Sequence, residues 1–152
     1  MAQDTTTWLL LIQAAATWGM VGLIWFVQIV HYPLYTKVGP EQFVTYQQAH
    51  TRLVSLVVIP LMLAELFAAV LLAVAKNPLF PTTAWVALAL VLAIWVVTFT
   101  VQVPQHNRLC QQFDLQTAQQ LVRGNWIRTF LWSCRGGIVI WMLERWVNLS
   151  KV

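Results

Sequence analysis

The chain has 152 residues, of which 59% are hydrophobic and 9% charged, with a mean hydropathy of +0.67 and a formal net charge of +4. A soluble domain carries about 25% charged residues, so this composition excludes a water-soluble globular fold and points to a single membrane domain over 1–152. The few cations form no basic run interleaved with aromatics, which argues against nucleic acid, and Cys110 and Cys134 are not in a Cys-x-x-Cys arrangement, which disfavours a thiol redox enzyme.

The first predicted span runs from about Trp8 to Val30. It is apolar over about 20 residues, enough for a hydrocarbon core of ~30 Å. It is too long for a signal core and lacks a basic start, so it reads as a permanent span. Gln28 and His31 lie one turn apart near its end, and Pro33 stops or bends the helix there. The stretch from Tyr35 to Ala49 is too polar to cross. Gly39 and Pro40 predict the start of a short interfacial helix that leads through His50.

Span two runs from about Leu53 to Ala75, with Pro60 expected to kink it and Glu65 near its midpoint. Lys76 to Thr83 is a tight turn on the opposite face. Span three, about Ala84 to Val103, ends in Gln102, Pro104 and His106. Asn107 to Gly124 forms the second long loop. Asp114 is the expected N-cap of a short amphipathic helix over Leu115 to Arg123 that Gly124 ends. Span four runs from about Trp126 to Val147, with Arg135 near its midpoint.

The fold expected is all-α: an integral membrane four-helix up-down bundle (spans 8–30, 53–75, 84–103 and 126–147) with two short interfacial helices in the long loops. The long-loop face carries Lys37, Arg52, Arg108, Arg123 and Arg128, against Lys76, Arg145 and Lys151 on the other, which places the long loops in the cytoplasm. Bundles this small often self-associate, so a homo-oligomer is a possible state, although no small-xxx-small motif specifies one.

Three constellations carry chemistry. His31, His50 and His106 all fall at the long-loop face, on three different helices. Imidazoles in such a set suit Zn, Cu or Fe, with Gln28 and Gln102 orienting them from one turn deeper. The alternative is that each is solvated at the interface. Glu65 and Arg135 are both near mid-membrane and are expected to pair, either as a structural lock or as a proton relay or substrate anchor. Asn125, Arg128, Trp132 and Arg135 recur at three and four residues, giving span four a polar face. There Arg128 is placed to hold an anionic or oxygen-bearing group, unless it simply snorkels.

The Gln-x-x-His-Tyr-Pro end of span one, the His before span two, the mid-span Glu and the Asn-Trp-Ile-Arg-Thr start of span four resemble small bacterial membrane proteins near the anthrone-oxygenase-like family. That resemblance implies a plasma-membrane oxidoreductase acting with dioxygen on an apolar aromatic substrate. It carries no residue roles across.

The leading expectation is therefore a membrane-embedded metal-binding oxidoreductase or oxygenase. His31, His50 and His106 are its ligands, Gln28, Gln102 and Asn125 support the cofactor, and Arg128, Glu65 and Arg135 are the candidate catalytic groups. An apolar substrate reaches the site from the lipid bilayer. Two other classes stay open: a haem-binding electron carrier with His31 and His106 as axial ligands, and a non-enzymatic membrane subunit.

Overall fold

The computed structural model describes residues 3–75 and 77–149. Lys76 and Lys151, two cations of the orientation count, lie outside them. Among the described residues the chain is helical with no strand. Helix α1 is Gln3–Phe26, continued by a wide π turn, Val27–His31, and a tight 3-10 stretch, Tyr32–Lys37. Helix α2 is Pro40–Val74. Helix α3 is Thr83–Val97, continued by a second π turn, Thr98–Gln102, and helix α4, Val103–Leu109. Helix α5 is Leu115–Leu149.

Three of the four resulting rods, Gln3–Lys37, Pro40–Val74 and Thr83–Leu109, are long and apolar enough to cross a membrane. The rods touch in a ring: α1 packs on α2 and α5, and α3 packs on the same two. The surface is inverted relative to a soluble protein. Leu56, Phe67, Trp85, Phe99 and Phe130 are exposed, whereas Gln13, Thr17, Glu65, Asn125 and Arg135 are buried.

Both π turns are followed by a proline one residue beyond their closing bond. Tyr32 N–H bonds to Val27 O ahead of Pro33, and Val103 N–H bonds to Thr98 O ahead of Pro104. A proline ring collides with the carbonyl four residues back, and a widened turn moves that carbonyl aside. Pro33 therefore reshapes the helix without ending it. Pro60 lies inside α2, which runs on through it.

The two interfacial helices do not exist as separate elements. The first is the opening of α2, unbroken from Pro40 to Val74, and the second is the opening of α5, which passes through Gly124. A helix-interior glycine costs about 1 kcal/mol relative to Ala, and here close packing offsets it. A Cβ on Gly124 would lie 3.3 Å from Gln102 Nε2 and 3.5 Å from Val101 Cγ1. The N-cap expected at Asp114 is present: one carboxylate oxygen accepts the Gln116 amide at 3.1 Å and the other the Thr117 hydroxyl. The Thr117 bond is the main reason its carboxyl is held below its ordinary pKa.

The core has three layers. Small residues at the short-turn end, among them Ala68, Ala69, Ala73, Ala84 and Ala87, let the helices close on one another. Met20, Ile24, Met62, Ile94 and Trp132 fill the middle. Tyr32, Tyr35, Phe43, Leu109 and Leu121 close the long-loop end. Through the middle runs the expected ion pair. Arg135 donates to Glu65, which also accepts the Thr17 hydroxyl, and a second Arg135 nitrogen donates to Ala87 O. One buried pair thus ties α5 to α2, α1 and α3 together.

Candidate functional site

The three histidines meet at the long-loop end, each delivered by a different rod. His31 closes the first π turn, His50 lies in α2 and His106 in α4. His31 Nε2 and His50 Nδ1 are 2.9 Å apart, with ring centroids at 4.5 Å. His50 stacks on His106 at 5.7 Å. Tyr35, fully buried, sets its ring edge-on to both His31 and His50.

His106 uses both ring nitrogens. Its Nε2 meets the Tyr32 hydroxyl at 2.9 Å and its Nδ1 meets Gln47 Nε2 at 2.7 Å. The amide nitrogen donates, so Nδ1 accepts, and the neutral ring carries its proton on Nε2 toward Tyr32. The imidazoles therefore face one another and their own hydrogen-bond partners and do not converge on a point. Among the described residues, no group of three or more His, Cys, Asp or Glu is arranged to hold a metal ion. A three-histidine site requires His106 to release Tyr32 or Gln47. A haem between His31 and His106 does not fit either, because His50 stands in the stack between them.

Arg128 occupies the inner side of the cluster. It is 6% exposed, and among the described residues it has no carboxylate partner. Gln28 and Asn125 position it. The Gln28 amide donates to Val122 O at 3.2 Å and accepts from Asn125 Nδ2 at 2.9 Å, and Asn125 Oδ1 accepts from Arg128 Nη1 at 3.1 Å. The guanidinium also faces the Tyr32 hydroxyl, while its Nε is buried with no partner among the described residues. Gln28 and Asn125 thus act on the arginine and not, as the spacing suggested, on the histidines.

Beside Arg128 lies a cavity of about 140 Å³. An apolar cavity of ~150 Å³ accommodates a benzene ring, so this one has room for a single ring. Its floor is Met20, Ile24 and Val27 of the first rod, all buried. Val54 and Val58 of α2 and Thr98 of the second π turn, all half-buried, line it as well. Its polar lining includes His50, His106, Tyr32, Arg128 and Gln102. Gln102 is 1% exposed, yet among the described residues neither polar atom of its amide has a partner.

No family model, curated protein or solved structure matches the chain.

The site residues read from sequence divide into two groups. His31, His50, His106, Gln28, Gln102, Asn125 and Arg128 come together at the long-loop end. Glu65 and Arg135 do not line the cavity and belong to the mid-bundle tie. Sequence reasoning passed over Tyr32 and Gln47, which complete His106. A signal for Gln47 was present: Gln47 and His50 repeat the Gln-x-x-His spacing of Gln28 and His31. It is visible only once α2 is read as continuous across both residues. The cysteines are both free, with Cys110 Sγ 3.6 Å from the Thr51 hydroxyl and Cys134 exposed on α5.

Proposed function

We propose that the chain is an integral membrane protein, a four-helix up-down bundle. In this reading it takes from the bilayer an apolar molecule, best a single aromatic ring, that carries an anionic or hydrogen-bond-accepting oxygen. The ring occupies the cavity, the oxygen meets Arg128 and Gln102, and the apolar remainder extends past Val54, Val58 and Thr98 into lipid.

One observation carries this reading: a buried guanidinium that has no carboxylate partner among the described residues lines a mainly apolar cavity. A buried charge left without a partner is costly, and an anionic ligand oxygen supplies the missing partner. The unpaired Gln102 amide beside it supports the same conclusion. Aromatic substrates are also what the anthrone-oxygenase resemblance implies.

The test is equilibrium binding of 4-hexylbenzoate to the protein in lipid nanodiscs, beside the neutral 4-hexylbenzyl alcohol. Charge-assisted hydrogen bonds contribute about 1.5–3 kcal/mol. Arg128→Gln is therefore expected to weaken the benzoate roughly ten- to a hundredfold and the alcohol far less. Absence of saturable benzoate binding in the wild type, or an unchanged affinity in the variant, removes the proposal.

A metal-centred oxidoreductase is the second reading, favoured by the meeting of three imidazoles beside the cavity. It predicts a near-stoichiometric metal in protein purified without chelator, lost in His31→Ala, His50→Ala and His106→Ala alike. Metal content that none of the three changes alters would sink it.

A further inference from the structure

A ligand that only accepts hydrogen bonds leaves one group of the cavity wall unsatisfied, the side-chain oxygen of Gln102. We propose that the ligand sets a hydrogen-bond donor beside its accepting oxygen, and that it is a neutral aromatic carboxamide or lactam whose polar edge Gln102 reads. This rests on the ligand reading given above and narrows it from any accepting oxygen to one chemical class.

Gln102 closes the second π turn and lines the cavity. It is buried, and among the described residues neither Nε2 nor Oε1 has a partner. Its amide rests against α5, because a Cβ on Gly124 would lie 3.3 Å from Gln102 Nε2. Arg128 stands one turn further along the same face of α5, and long side chains on a helix lean back toward its N-terminus. The bond from Arg128 Nη1 to Asn125 Oδ1 has that direction. The guanidinium and the Gln102 amide are therefore neighbours over one stretch of α5.

The other polar groups of the wall are largely committed. Thr51, Ser55 and Thr98 spend their hydroxyl protons on the backbone oxygens of Gln47, Thr51 and Ile94. Tyr32 and His106 bond to each other. What remains is of both kinds: Arg128 Nε and Gln102 Nε2 donate, and Gln102 Oε1 accepts.

A carboxylate or a ketone serves the two donors and offers nothing to Oε1. A carboxamide edge serves all three. Its carbonyl oxygen has two lone pairs, one for Arg128 Nε and one for Gln102 Nε2, and its N–H, on the adjoining atom, donates to Gln102 Oε1. Glutamine pairs in this two-bond manner with edges that set a donor beside an acceptor, as it does with adenine. A neutral ligand also suits arrival through lipid, since an ion pays heavily to enter hydrocarbon. The bond from the guanidinium to a neutral carbonyl is still charge-assisted, so Arg128 gains its partner.

The experiment uses the full chain in lipid nanodiscs and two ligands of nearly one shape, 4-hexylbenzamide and 4-hexylacetophenone. They differ only in an amide nitrogen replaced by a methyl group. Affinities are corrected for partition into empty nanodiscs. The wild type is expected to bind the amide at least about fivefold more tightly, because the ketone leaves Gln102 Oε1 buried and unpaired. In Gln102→Met, unbranched and close in size, that preference should vanish or invert. The same variant should bind 4-hexylbenzoate no more than about tenfold more weakly, the loss of one neutral hydrogen bond, which reports an intact site. Gln102→Leu should repeat the result. Equal affinity for amide and ketone in the wild type, or a preference that both variants keep, overturns the amide class and leaves the Arg128 site standing. Failure of 4-hexylbenzoate to bind the wild type overturns the site itself.

Discussion

Arg128 and Arg135 lie on one face of α5 and are both buried, yet their surroundings predict opposite responses to substitution. Arg135 is neutralised by Glu65, and between them the two groups bond to two further helices, α1 and α3. Removing one partner of a buried pair leaves the other uncompensated, at about 3–5 kcal/mol. Arg135→Gln is expected to lose about that much unfolding free energy, and the double change Glu65→Gln/Arg135→Gln to recover most of it. Arg128 bears its desolvation with only Asn125 and Tyr32 to offset it. Arg128→Gln should therefore leave stability level or raise it while ligand binding falls. Denaturation of the three variants in one detergent checks both statements. A loss in Arg128→Gln as large as in Arg135→Gln would make Arg128 a structural residue.

Neighbouring glycines on α5 separate helix propensity from helix packing. A Cβ on Gly136 would lie 3.3 Å from both Trp18 Cζ2 and Val21 Cγ2, so in Gly136→Ala these two α1 side chains must give by a few tenths of an ångström. Overpacking of this kind costs about 1–3 kcal/mol. A Cβ on Gly137 meets nothing within 4 Å, so Gly137→Ala is expected to stabilise the helix by up to about 1 kcal/mol. Thermal melts of the two variants should move in opposite directions. The same contrast explains what could be read from sequence at this scale. The long apolar stretches announced the rods, because length and hydropathy are properties of the chain alone. The continuity of α5 did not show, because Gly124 looks like a break until the neighbouring helix is seen, and that of α2 did not, because the stretch up to Ala49 is too polar to look like part of the span that follows. In the site, His31, His50, His106 and Arg128 could be named because polar residues at the end of an apolar segment stand out. The bonds of His106 to Tyr32 and Gln47 could not, since they depend on how three rods rotate against one another.

For the molecule as a whole, the decisive element is α5. The sequence reading makes Trp126 to Val147 a span, but α5, which carries Arg123, Arg128, Arg135, Glu144 and Arg145, is not among the three helices long and apolar enough to cross a membrane. Its two central arginines nevertheless point inward, while Trp126, Ile127, Phe130 and Ile140 face out. That arrangement suits a helix surrounded by lipid, because an intramembrane cation must face the bundle interior and the outer face must be apolar. A helix exposed to water would be expected to show the opposite distribution. Cys134 reports on the difference, being exposed on α5 near the middle of the proposed fourth span. A thiol reacts as its thiolate, which hydrocarbon does not support. With Cys110 changed to Ser, Cys134 in opened membrane vesicles is expected to resist a charged maleimide and to react fully after denaturation in SDS. A cysteine placed at Gln111, exposed in the loop, should react in both conditions. Ready labelling of Cys134 in the vesicles would put α5 in water, and the four-span bundle would have to be given up.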